Sequence, residues 1–203
     1  KLANCSYSST SFTCHDCSNE CEINEIAIQG EKAIHYGGRC GKYEEKEKRV
    51  NSNIPDLFRM RNDIFFKTEE TEGAEIGIPR SLVMYELFPF FYEFLRQLGF
   101  KPILSEPTNR TIIERGAELS VADTCLPVKV ALGQVQSLID RNIKRLFIPS
   151  VITMPIQDEI FPRSYVCPYV QSTPYFTRAI FGDDVVVHSP CLHFDRSAAG
   201  ILE

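Results

Sequence analysis

The sequence predicts an α/β protein in which a parallel sheet carries helices on both faces, preceded by a small cysteine-rich β-hairpin. From residue 74 onward, short apolar stretches alternate with longer amphipathic ones. This alternation is typical of parallel strands joined by helices. Before residue 44, cysteines are frequent and large apolar residues are few. That region therefore needs a source of stability other than a hydrophobic core.

Composition limits the classes of function. The chain has 203 residues, of which 43% are hydrophobic, enough for one ordinary domain and a small appendage. A net charge of −5 and a pI of about 5.5 argue against a nucleic-acid-binding module. No apolar run is long enough to span a bilayer, and no signal peptide or nucleotide-binding motif is visible. We expect a cytoplasmic protein, and the chain resembles a piece of a longer one.

Residues 1–43 are expected to form a metal-binding knob, and residues 44–73 a helical linker. In the knob, "CEINEIAIQG" and "KAIHY" read as two strands of a hairpin that turns at Glu31–Lys32. In the linker, Pro55 is expected in the first turn of a helix, and "TEETEG" follows it as a connection. The apolar residues of this helix recur near helical spacing: Ile54, Leu57, Phe58, Ile64 and Phe65.

Residues 74–203 are expected to form the α/β domain. Its four strands are "EIGIP", "FKPILS", "IKRLFIPS" and "DDVVVHSP". A long helix starts near Arg80 and ends at Gly99, and Pro89 within it predicts a kink or two abutting helices. Three further helices are expected in "EPTNRTIIERGAELS", in "CLPVKVALGQVQSLIDRN" and in "STPYFTRAIFG". The order of these elements predicts a flavodoxin-like sheet.

Four cysteines near the N-terminus have the spacing of a metal site: Cys14, Cys17, Cys21 and Cys40. A C-x2-C turn directs two thiolates to one point, and the hairpin would bring Cys40 beside the other three. Four thiolates suit tetrahedral zinc, and they also suit an iron–sulfur cluster. A site closed by four thiolates has no open coordination position, so we expect a structural metal. Disulfides and unligated thiols are the alternatives.

A second set of cysteines follows predicted strands. Cys125 precedes a helix, where the helix dipole and free N–H groups stabilise a thiolate. Cys167 follows the third strand by one loop, so the two could face each other at the carboxyl edge of the sheet. Two separate cysteines without a shared ligand are the alternative. Cys191 is a further candidate partner, and weaker candidates for binding roles are Arg80, Lys129, His188 and His193.

Several segments together resemble a known family. These are "IGIPRSLVMYELFPFFYEFLRQLGF", "ADTCLPVKVALGQVQSLI", "LFIPS" and "CPYVQSTP", preceded by the cysteine-rich "CHDCSNECEI" and "GGRCGKY". They look like the uncharacterised domain of CoA-substrate-specific enzyme activases, which are related to activators of 2-hydroxyacyl-CoA dehydratases. The resemblance implies a dehydratase-like domain in which Cys125 and Cys167 match positions that ligate a 4Fe–4S cluster.

The same resemblance implies partners. An ATPase region of the parent protein, or a separate dehydratase, would exchange electrons with this part of the chain. The expected function is therefore part of an ATP-dependent redox protein with a structural metal and an iron–sulfur site. The alternative is a non-catalytic module that is stabilised by zinc and binds other parts of an assembly.

Overall fold

A computed structural model describes residues 6–16, 19–39, 41–43, 55–155 and 164–195. The strands within these ranges are β1 (Tyr7–Thr13), β2 (Glu22–Ile28), β3 (Ile34–Tyr36), β4 (Ala74–Ile78), β5 (Phe100–Leu104), β6 (Arg145–Phe147), β7 (Ser150–Thr153), β8 (Val186–His188) and β9 (Cys191–His193). The helices are α1 (Leu57–Phe65), α2 (Met84–Gln97), α3 (Arg110–Leu119), α4 (Leu126–Asp140) and α5 (Pro168–Phe181). None of the helices in these ranges is both long and apolar enough to cross a bilayer.

The main sheet has four parallel strands in the order β5-β4-β6-β8. The chain passes from β4 outward to β5, and then returns to add β6 and β8 on the other side. The predicted α/β fold with a parallel sheet flanked by helices is therefore confirmed. The point where the strand order reverses lies between β4 and β6, at their carboxyl ends.

Helices cover both faces of this sheet because successive residues of a strand point to opposite sides. Ile76 and Ile78 of β4 pack in one buried cluster with Phe88 and Phe91 of α2. Gly77, between them, faces the opposite side, where a Cβ atom would lie 3.0 Å from the Leu138 side chain of α4. Two apolar clusters thus sandwich the sheet, with α2 on one side and α4 on the other.

A ribbon of two strands, β7 and β9, continues beyond the carboxyl edge of the sheet. The sequence predicted one strand where β6 and β7 lie and one strand where β8 and β9 lie. After β6 and β8, the Ser150 N–H donates to the Pro190 carbonyl at 2.9 Å, and β7 then pairs with β9 in parallel. Pro149 and Pro190 separate the two pairs of strands, since proline has no N–H to donate to a ladder. The predicted third strand, residues 143–150, is therefore split into β6 and the start of β7.

At each outer edge of the main sheet, an arginine side chain bonds to one outward-facing carbonyl. At the β5 edge, Arg141 donates to the Leu104 carbonyl at 3.1 Å, and Pro102 offers no N–H. At the β8 edge, Arg178 donates to the Val187 carbonyl at 2.8 Å. These carbonyls point outward because the residues next to them bond to the inner strands.

Pro89 lies inside one continuous helix, α2, which begins at Met84 rather than near Arg80. Proline cannot donate to the carbonyl four residues earlier, which is that of Tyr85. Arg61 of α1 donates to this carbonyl instead, while its guanidinium lies 4.6 Å from the Phe65 ring. The predicted linker helix is thus anchored to the α/β region by the carbonyl that Pro89 leaves free.

Helix α1 differs from its prediction in two respects. Asp56 is the N-cap and accepts from the Arg59 N–H, so Pro55 precedes the helix rather than starting it. The predicted apolar face is largely exposed, including Leu57 and Phe58, and Ile54 lies outside the described residues. Phe66, directly after the helix, is the residue that enters the core.

The N-terminal strands form a separate antiparallel sheet in the order β1-β2-β3. β2 and β3 pair as the sequence predicted, with Ile26 opposite Ile34. The sequence did not predict β1, whose residues are all exposed. The division of the chain into three regions at residues 43 and 73 remains a prediction.

Two glycines let α3 and α4 approach each other at the backbone. A Cβ atom at Gly116 would lie 1.9 Å from the Lys129 carbonyl oxygen, and one at Gly133 would lie 2.0 Å from that of Ile112. Real Cβ contacts are never this short, so any side chain at either position would force the helices apart.

We therefore expect Gly116→Ala to lower the free energy of unfolding by about 1–3 kcal/mol, through overpacking of the helix contact. Alanine has a higher helix propensity than glycine by about 1 kcal/mol. We expect overpacking to outweigh this gain, so that the net effect is destabilising. Urea denaturation measures it. Gly38→Ala is the control, because its nearest atom would lie at an ordinary 3.4 Å; equal stability of wild type and Gly116→Ala would contradict the tight crossing.

The bond from Arg61 to Tyr85 predicts a second effect. Arg61→Met should cost about 1 kcal/mol of unfolding free energy, the typical net value of a hydrogen bond. In a Pro89→Ala background the cost should shrink, because the backbone N–H restored at position 89 can bond to the Tyr85 carbonyl. A double-mutant cycle measures the difference, and additive losses would show that Arg61 does not act through this carbonyl.

Candidate functional site

The described cysteines of the first set lie next to each other. The Cys14 N–H, directly after β1, donates to the Cys21 carbonyl, directly before β2, at 2.8 Å. Both residues line a small cavity of about 20 Å³. Cys17 and Cys40 lie outside the described residues. The structure therefore brings two of the four predicted ligands together and does not describe the other two.

The neighbours of Cys17 and Cys40 line this same cavity. Asp16 directly precedes Cys17 and Asn19 follows it by two residues, while Arg39 directly precedes Cys40 and Tyr43 follows it by three. Ala117, at the end of α3, forms part of the wall, so the cavity lies where the N-terminal sheet meets the α3–α4 helix pair. We call this region, residues 14–21 and 38–43, the cysteine element.

Polar groups surround the Cys14 thiol, which is buried. The thiol donates to the Asp16 carboxylate at 3.2 Å. Lys42 also donates to Asp16, and this hydrogen bond is the main reason that the pKa of the Asp16 carboxyl lies below its usual value. Tyr43 is in reach as well, and a hydrogen bond with Cys14 is the main cause of a raised pKa of the Tyr43 hydroxyl. The thiol thus has a cation, a carboxylate and a phenol close by.

Lys129 connects the cysteine element to α4. The sequence offered Lys129 only as a weaker candidate for a binding role, and its side chain is 0% exposed. Its Nζ donates to Asn19 Oδ1 at 2.7 Å and lies 3.7 Å from Asp123 Oδ1. Asp123 also forms an ion pair with Arg39. No sequence pattern pairs Lys129 with Asn19, because 110 residues separate them.

Cys125 and Cys167 occupy equivalent places at the starts of two helices. Each is the N-cap, of α4 and of α5 respectively, and each is followed by a proline in the first turn. Their carbonyls accept the first helical hydrogen bonds, whereas their thiols make no capping bond and both residues are exposed. The sequence placed Cys125 correctly before a helix. The last helix begins at Pro168, four residues before its predicted start at Ser172, so Cys167 caps a helix where only a loop was expected.

The two helices line a common cavity at the carboxyl ends of β4 and β6. It holds about 20 Å³, room for one water, and is lined by residues such as Leu82, Ala131, Ile148 and Val170. Ala131 belongs to the second turn of α4, and Val170 to the first turn of α5. Both cysteines therefore lie at the same edge of the sheet, just beyond the point where the strand order reverses.

The remaining candidates have local roles. Cys191 begins β9 beyond the same edge and is exposed. The Arg80 guanidinium lies 4.0 Å above the Phe66 ring, and its backbone N–H donates to Ser105 Oγ. His193 Nδ1 lies 3.4 Å from Thr153 Oγ1 within the ribbon. His188 belongs to β8, and its carbonyl accepts the Ile148 N–H.

The described residues contain no group of three or more Cys, His, Asp or Glu side chains arranged to hold a metal. This result does not test the four-cysteine site, because two of its predicted ligands lie outside those residues. The described cysteines are free thiols. Zinc and iron–sulfur binding therefore stay predictions.

Comparison with known proteins identifies the α/β region. Residues 75–202 match the family model described as the CoA enzyme activase uncharacterised domain. The match starts within β4 and extends beyond β9, so it includes Cys125, Cys167 and Cys191. It does not include the cysteine element or α1. No curated protein and no solved structure matches the chain.

The exposure of the thiols predicts their reactivity. Iodoacetamide should modify Cys125 and Cys167 much faster than Cys14 in the native protein, because Cys14 is only 7% exposed. Peptide mapping by mass spectrometry after short reaction times measures the three rates. In denaturant the rates should converge, and a fast reaction of Cys14 in the native state would contradict its burial.

Proposed function

Because the chain belongs to the family of the CoA enzyme activase uncharacterised domain, we propose that it is a thiolate-bearing part of an activase-type redox protein. Cys125 and Cys167 would bind an iron–sulfur cluster at the carboxyl edge of the sheet. The cysteine element would hold a structural metal. An ATPase region of the parent protein, or a dehydratase, would be the partner that exchanges electrons.

The observation that carries the proposal is the matched placement of Cys125 and Cys167. Both are exposed N-caps of helices that line one cavity at one edge of the sheet. A helix N-terminus presents N–H groups and the positive end of its dipole, which favour bound anions and thiolates. An iron–sulfur cluster held by such thiolates would supply a one-electron carrier. The exposure of both residues suits ligands that come from a partner or from another part of the protein.

The cysteine element fits a metal closed by four thiolates. The backbone joins Cys14 to Cys21, and the neighbours of Cys17 and Cys40 line the same cavity. Four thiolates on a divalent metal leave a net negative charge, and Arg39, Lys42 and Lys129 place cations around it. The role of this metal would be structural: it would hold the N-terminal sheet against α3 and α4.

Metal analysis of anaerobically purified protein tests the proposal. Wild type should contain iron and acid-labile sulfide and show the brown colour of thiolate-to-iron charge transfer. Cys125→Ser should lose iron and colour but keep the structural metal and its unfolding midpoint. Cys14→Ser should lose the structural metal and unfold at a lower temperature.

Cys5→Ser is the control, because Cys5 belongs to neither set. It should match wild type in iron, zinc and unfolding midpoint. Colourless, iron-free wild type that still contains zinc would overturn the redox role. Wild type that contains neither metal would overturn both metal sites.

The exposed apolar surface of α1 favours a second candidate, a zinc-stapled docking module without redox chemistry. The side chains of Leu57, Phe58 and Ile64 are 68%, 82% and 76% exposed. Contact of such large apolar side chains with water is unfavourable, and an exposed apolar patch is typical of a surface that binds another protein. In this case Phe58→Glu should abolish binding to the separately expressed ATPase region, while Cys125→Ser should not affect it. The redox candidate predicts that Phe58→Glu leaves the iron content unchanged.

A further inference from the structure

A buried lysine lies between the two cysteine groups. Lys129 is 0% exposed, although an ammonium group is costly to remove from water unless it is paired. Its position follows from the glycine contact of α3 with α4, since Gly116 lies directly against the Lys129 carbonyl. The buried side chain finds its partners in the cysteine element and in the loop before α4.

On one side, Lys129 holds the cysteine element. Its Nζ donates to Asn19 Oδ1 at 2.7 Å, and Asn19 lies between Cys14 and Cys21 on the wall of their cavity. The Asn19 amide also approaches the Ala117 carbonyl at 3.5 Å. Asn19 thus joins the turn that carries the thiols to both helices of the pair.

On the other side, Lys129 belongs to the structure that places Cys125. Its own N–H donates to the Cys125 carbonyl at 3.3 Å in the first turn of α4. Its Nζ lies 3.7 Å from Asp123, two residues before Cys125, and Asp123 pairs with Arg39 of the cysteine element. Lys129 and Asp123 thus tie the segment that carries Cys125 to Asn19 and Arg39 of the cysteine element.

We propose that Lys129 couples the two cysteine groups, so that metal binding in the cysteine element fixes the segment that presents Cys125. The proposal rests on the structural metal proposed above. A bound metal would hold the Asn19 turn in place, and this turn holds Lys129, Asp123 and the first turn of α4. Coupling between two sites is reciprocal, so the same contacts would raise the affinity of the cysteine element for metal.

The reactivity of Cys125 reports this coupling without any enzymatic assay. We would load the protein with zinc alone, remove the zinc from a second sample with a chelator, and measure alkylation of each thiol by iodoacetamide. Removal of zinc should lower the rate at Cys125 severalfold, because the first turn of α4 is then held less firmly and its N–H groups stabilise the reactive thiolate less well. The rate at Cys167 should not change, because no contact described above joins it to the cysteine element.

Lys129→Met should break the coupling. In this variant Cys125 of the zinc-loaded protein should react at the rate of the zinc-free protein, and zinc affinity should fall by about 10- to 100-fold, as when groups that support metal ligands are removed. Lys144→Met is the matched control, because Lys144 is exposed on the loop after α4 and should leave both quantities unchanged.

The outcomes separate the two proposals. Wild type that binds no zinc would overturn the structural metal. Wild type that binds zinc but shows the same Cys125 rate with and without it would overturn the coupling alone. If Lys129→Met does not fold, Asn19→Ala removes the acceptor while Lys129 stays. It should give the same fall in rate at Cys125 in the zinc-loaded protein, and an unchanged rate would overturn the inference.

Discussion

The close approach of α3 and α4 is the constraint on which much of this structure depends. With only hydrogen atoms at positions 116 and 133, the two backbones touch, and α4 is held between α3 and the sheet. Lys129 of α4 and Ala117 of α3 both contact Asn19 in the turn between β1 and β2. The N-terminal sheet is therefore attached to the helix pair that these two glycines bring together.

The α/β region could be predicted closely because its signals are local. Residues 100–105 were expected to form a strand, and β5 spans Phe100–Leu104. Gly99, expected to end α2, has a φ of +82°, a backbone conformation that glycine adopts at little cost. The start of α2 was expected too early, because residues 79–83 form turns that a helical hydrophobic pattern does not distinguish from a helix.

Other elements depend on partners that are distant in the chain. β1 is exposed along its whole length, so no alternation of apolar and polar residues marks it; pairing with β2 makes it a strand. The contact of Lys129 with Asn19 likewise has no local signal. The cysteines of both sets could be singled out because residue type and spacing are visible in a sequence, and their metal binding stays a prediction.

The arginines at the edges of the main sheet have a consequence for assembly. Arg141 and Arg178 occupy the outward carbonyls of β5 and β8 that another chain would need to extend the ladder. A strand added at either edge would have to displace one of these arginine hydrogen bonds, which disfavours extension of the sheet. Association with another protein is favoured through side chains, on the exposed face of α1 or at the edge that presents the thiols, where contacts can form and separate while every backbone hydrogen bond of the sheet stays intact.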